Sequence, residues 1–150
     1  MKPITIAVFM ATLFSAHASA LSERIHCEGH FTAVLNDADD PVSFNGEYIW
    51  DILQDAPSYI SLEGELLQPP KKYTVQRTFN LKVRIINIED SIYELTPLNT
   101  TVQGADNLPD SVALRHLFHG PRIYRIQKTL VSSYLISNAS SPVFICHDIN

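Results

Sequence analysis

Five histidines follow residue 20: His26, His30, His116, His119 and His147. Three of them could gather around a metal. His26, Glu28 and His30 alternate, so an extended chain puts all three on one face. His147 joins them if Cys146 is bridged to Cys27. Imidazole and carboxylate are suitable zinc ligands, but the spacing works against a shared ion. Residues i and i+4 of a strand lie about 13 Å apart, whereas two ligands of one zinc lie within roughly 4 Å of each other. A strand therefore offers one of these histidines, not both, and solvated imidazoles are the expectation. His116 and His119 are three apart, a helical spacing, but Gly120-Pro121 follows at once. A histidine there complements the negative end of a helix without any ligand. No metal or cofactor is expected.

Other chemistry is thinly supported. Glu63 and Glu65 point the same way on a strand at about 7 Å, inside the range of inverting glycosidases, although any solvated strand face carries such pairs. There is no G-x-S-x-G elbow, and five scattered glycines make no phosphate loop. The acids from Asp37 to Asp40 lack calcium-loop spacing, because Val42 and Tyr48 occupy the sixth and twelfth positions. Asn99-Thr100-Thr101 and Asn138-Ala139-Ser140 match the glycan acceptor pattern, which matters only in a cell that glycosylates secreted asparagines.

The elements that must position these residues are strands. From Tyr73 to Ile85 apolar and polar residues alternate for thirteen positions, with Arg77 the one break, as in a long antiparallel strand with one dry face. Arg24 to Leu35 alternates likewise and puts Cys27 on the apolar side. Val42 to Phe44 begins another strand, Asn45-Gly46 reads as a tight hairpin turn, and Glu47 to Leu53 and Ile60 to Leu66 continue the pattern. Adjacent Ile85 and Ile86 predict a bulge. Ile92 to Leu95 is a return strand stopped by Pro97, and 99–106 is loop-like. Pro109 to Phe118 is the one credible helix, opened by proline and Asp110. Ile123 to Ile136, bent at Ser132-Ser133, and Val143 to Ile149 complete the set.

The fold class is all-β: a small antiparallel β-sandwich or closed β-barrel with one short helix and termini linked by a disulfide. Strand lengths slightly favour the sandwich. Cys27 and Cys146 are the only cysteines. Their bridge would close a loop of about 120 residues and hold the first and last strands together.

Lys2, the apolar run from Ile4 to Ala16 and Ala18-Ser19-Ala20 read as a secretion signal peptide over residues 1–20, leaving 21–150 as a single secreted β domain. The run is short for a membrane span, which needs about 20 apolar residues. Loss of Lys2 leaves ten basic and sixteen acidic side chains, a net charge of −6. That balance is poor for nucleic acid and for anionic lipid surfaces. A secreted or periplasmic location follows, with no stable membrane insertion after signal cleavage.

With no assembled catalytic set, the sequence favours an extracytoplasmic non-enzymatic binding module, protein-binding or inhibitor-like. Tyr48, Trp50 and Tyr59 form its possible binding surface. The partner would be another protein. Two alternatives are a strand-exchange fibre subunit and a β-barrel carrier of a small apolar ligand.

Overall fold

The computed structural model describes residues 24–37, 40–118, 120–129, 132–138 and 142–149. The signal peptide at 1–20, the middle of the acidic loop at 38–39, His119 and most of the 138–140 glycan pattern lie outside the described residues.

Eight strands and one helix follow in order: β1 (Ile25–Asp37), β2 (Asp40–Ile52), β3 (Ser58–Gln68), β4 (Lys71–Asn87), β5 (Ile92–Val102), α1 (Asp110–His116), β6 (Arg122–Lys128), β7 (Ser133–Ser137) and β8 (Pro142–Asp148). Every strand pairs antiparallel with its neighbours in sequence, and β8 returns to β1, closing a barrel. The sandwich, slightly favoured from strand length, gives way to this up-and-down cylinder. Strand length alone cannot report closure, which rests on a contact between the two chain ends.

Glycines help to bend the wall. Gly46 faces Gly64 across β2 and β3. A Cβ on Gly46 would lie 2.3 Å from the Glu63 carbonyl oxygen, and one on Gly64 would lie 2.4 Å from that of Asn45. The two backbones therefore meet more closely than any side chain allows, which suits a sharply coiled sheet. Asn45-Gly46 is accordingly no hairpin turn. It sits in the middle of β2, and the β1–β2 connection falls between Asp37 and Asp40.

The inward faces are mainly apolar, and most polar residues of the strands face outward. In β4, Val75, Phe79 and Leu81 are buried, while Thr74, Lys82 and Arg84 are exposed. Residues Tyr73 to Ile85 thus form the long strand their alternation predicts, and the ladder slips at Ile85–Ile86 as the paired isoleucines suggest.

β5 runs further than predicted, through Pro97 to Val102, with a bulge at Leu98 that lets Pro97 oppose Leu81. Among the described residues, β5 has no partner on its β6 side beyond Leu95. Proline is tolerated in such an edge segment, where a missing N–H costs no ladder bond. Residues 99–102, expected as loop, are therefore strand. α1 crosses this same end of the barrel.

Candidate functional site: a capped aromatic cavity

Arg77, the exception in β4's apolar face, holds the cap in place. Its Nε and Nη2 each donate to Asp106 at 2.9 Å, its Nη1 donates to Asp110 at 2.8 Å, and Nη2 also reaches the Leu108 carbonyl. Arg77 and Asp106 are both almost completely buried. Asp106 accepts two further bonds, from the amides of Gln76 and Leu108, at 2.9 and 3.0 Å. Burial opposes ionisation of Asp106, but Arg77 and these amides outweigh it and keep the carboxyl below its usual range. Asn107 extends the clasp, its side chain accepting from the Thr74 amide at 2.7 Å and its own amide donating to the Thr74 carbonyl at 3.1 Å. The segment from Gln103 into α1 is thereby fastened to β4.

Under this cap lies a cavity of about 230 Å³. β1 supplies Phe31 and Ala33, β2 Phe44 and Trp50, β3 Ile60 and Leu62, β6 Tyr124, and β8 Val143 and Phe144. His116, Leu117 and Phe118 close it from the helix side. The rings interlock: Trp50 meets Tyr124 at 5.2 Å and Phe144 at 5.3 Å edge to face, and Phe31 meets Phe44 at 5.0 Å. Such packing makes a firm apolar wall.

Two nitrogens near this wall lack partners. The Nε2 of His116 and the Nε of Arg122 are buried and, among the described residues, have no hydrogen-bond partner. The Arg122 guanidinium lies 5.9 Å from the centroid of the Phe118 ring. Arg122 shares the inward face of β6 with Tyr124, whose hydroxyl pKa is raised by burial and partly restored by the Arg122 charge.

The wall is incomplete beside the cavity. The β1–β8 ladder holds two rungs, Cys27 with Asp148 and Glu28 with His147. Beyond them the Tyr48 side chain crosses Gly29, and its hydroxyl donates to the Ile145 carbonyl at 2.6 Å. Burial pushes the Tyr48 hydroxyl up to about 12. Phe31 and Phe144 stack behind this seam at 6.1 Å, while Val34, Val143 and Ile145 stand exposed along it.

The residues singled out from sequence are dispersed. Cys27 and Cys146 are bridged, with Cα atoms 5.4 Å apart, and the chain ends are joined as expected. Trp50 and Tyr48 are buried inside the barrel, and Trp50 lines the cavity. Tyr59 is half-buried on the outer face beside Asp51, so the three share no surface.

Glu28 and His147 are opposite one another, but His147 pairs with Ser133 at 3.1 Å and His30 with Asn45 at 3.0 Å. Among the described residues no group of three or more potential ligands could hold a metal ion. Glu63 accepts from Gln76, and Glu65 pairs with Lys72. Sequence reasoning did not single out Arg122 or the Asp106 clasp. Arg77 breaking the apolar stripe was the available signal for the clasp.

Residues 64–146 match a family model described as FidL-like putative membrane protein. No curated protein and no solved structure matches the chain. No helix among the described residues is long and apolar enough to cross a membrane. The barrel's inward face is apolar, with Val75, Phe79, Leu95 and Ile136 buried, while its outward face mixes exposed Thr74, Lys82 and Arg84 with exposed Ile123, Val143 and Ile145.

Proposed function

The chain belongs to the FidL-like family, and we propose that it is an extracytoplasmic, non-enzymatic binding module that holds a small apolar ligand beneath α1. The observation that carries this reading is the aromatic cavity, with Trp50 in its wall. A fully packed small barrel has no need of such a space, because native interiors close to crystal density. A closed apolar cavity of about 150 Å³ takes up benzene, and this larger one opens toward the seam at Val143.

The location rests on two supports. A bridge between Cys27 and Cys146 suits an oxidising compartment, and the family description is that of a membrane protein. The apolar run from Ile4 to Ala16 serves either as the cleaved leader or as a retained tether. The mass of the mature protein and its fractionation with membranes separate these outcomes.

Trp50 is the only tryptophan, so its emission reports on the cavity directly. Titration with toluene and with propylbenzene is expected to give a saturable change in emission and a higher Tm. Ala33→Phe, which fills the space from β1, should abolish both responses in a folded protein. Unchanged emission and Tm with every probe would refute the reading.

A second reading, attachment of a protein partner's extended segment, is favoured by the seam. Among the described residues the β1 edge beyond Glu28 is unpaired, and flanked by exposed Val34 and Ile145 it is the kind of edge that accepts an added strand. A fibre subunit completed by strand exchange would use the same edge. A monomer whose mass in solution does not change with concentration would count against exchange between copies.

A further inference from the structure

The two unpartnered nitrogens describe the ligand more closely. This inference rests on the cavity reading above and adds the chemistry of one end of the occupant. A guanidinium has donors and no acceptor, so a buried Arg122 Nε can be satisfied only by an acceptor. His116 is the last residue of α1 and lines the cavity, so its Nε2 is presented to whatever occupies that space. An imidazole that carries its proton on Nε2 is a donor there. Burying such donors unpaired is costly, the more so when they are charged.

Arg77, whose whole side chain is buried, is already answered by Asp106 and Asp110. Arg122, by contrast, is in no ion pair among the described residues. What adjoins it is the ring of Phe118, which itself lines the cavity. Cation-ring contact stabilises the charge but leaves the N–H in need of an oxygen.

We infer that the cavity takes an apolar monocarboxylate, with its hydrocarbon part among Phe31, Trp50 and Phe144 and its carboxylate accepting from His116 and Arg122. The volume sets the size. About 230 Å³ exceeds a benzene-holding cavity by roughly half, enough for one ring with a short side chain. A carboxylate accepts from several donors at once, and charge-assisted bonds are the strong ones.

The test compares three probes of one shape, 3-phenylpropanoate, 3-phenylpropan-1-ol and propylbenzene, on the oxidised full chain. Binding is read by Trp50 emission and calorimetry. The acid is expected to bind at least about ten-fold more tightly than propylbenzene, in line with hydrogen bonds to charged groups, and the alcohol should fall between them. His116→Leu and Arg122→Leu should each erase most of that preference, read as the ratio of the acid's affinity to propylbenzene's within the same variant.

If either variant fails to fold, the wild-type protein still decides. The imidazole ¹⁵N resonance of His116 should move with the acid and stay put with propylbenzene. Equal affinity for acid and hydrocarbon would overturn the carboxylate while leaving the apolar cavity reading intact. Absence of saturable binding by all three would overturn both.

Discussion

Arg77 and Asp106 meet as a two-pronged pair inside one mouth of the barrel, Nε to Oδ2 and Nη2 to Oδ1, each at 2.9 Å. Neither has useful access to water. Removing one partner of a buried pair leaves the other charge stranded, at about 3–5 kcal/mol. Asp106→Ala also deprives the Gln76 and Leu108 amides of an acceptor, so it should fall at the upper end of that range. Arg77→Met combined with Asp106→Leu should recover part of the loss, since no charge is then stranded. Urea midpoints measure both. A loss below about 1 kcal/mol for Asp106→Ala would show that the clasp contributes little.

The same pair makes stability depend on acid. Asp106 ionises below its usual range when folded, so the unfolded chain takes up a proton there first. The stabilisation is complete above the unfolded value of about 3.9 and fades as the pH falls through the lower folded value. Asp51, lowered by its hydrogen bond to Arg24, adds to the same window. Thermal unfolding followed from pH 7 to pH 2 should show Tm dropping below about pH 4. The drop should be shallower in Asp106→Asn. Parallel curves for the two proteins would assign the acid sensitivity elsewhere.

The disulfide spans 119 residues of sequence, and the β1–β8 ladder beside it has two rungs. Closing so long a loop is worth about 4–5 kcal/mol in the chain-entropy model. The Cys27→Ser, Cys146→Ser double variant should lose an amount of that order. Hydrogen exchange should quicken first at the amides of Glu28 and His147, ahead of the β2–β3 ladder. Uniform quickening throughout the barrel would mean that the bridge acts on the whole fold and not on its closure.

Gly46→Ala and Gly64→Ala each drive a methyl group into backbone less than 2.5 Å away. Overpacking of this kind costs about 1–3 kcal/mol, and backbone neighbours yield less than side chains do. Gly104→Ala meets nothing within 4 Å and should change stability by less than about 0.5 kcal/mol. Denaturant midpoints for the three variants check this. A neutral Gly46→Ala would mean that β2 and β3 can separate without loss.

Local pattern made the strands legible. Alternation from Tyr73 to Ile85 declares β4 because a strand's period of two is written in the residues themselves. The helix at 110–116 was marked by Pro109 and Asp110, and the cysteine pair reported the meeting of the chain ends. Three features failed to show because their causes are distant in sequence. Asn45-Gly46 carries the signature of a turn, and what makes it strand is Gly64, eighteen residues on. Pro97 would end a central strand, but here β5 has lost its β6 neighbour. Trp50 looks like any strand aromatic, and its place in a cavity depends on Tyr124 and Phe144. Arg77 was visible as an anomaly, without any sign that Asp106 answered it.

Strand direction gives the barrel two unlike ends. The first described residues and the last, joined where the Ile149 amide meets the His26 carbonyl at 3.1 Å, leave from one rim, whereas α1 and the open stretch of the seam belong to the other. A ligand entering the aromatic pocket therefore approaches from the rim opposite the two described chain ends, and whatever holds those ends does not stand in its way.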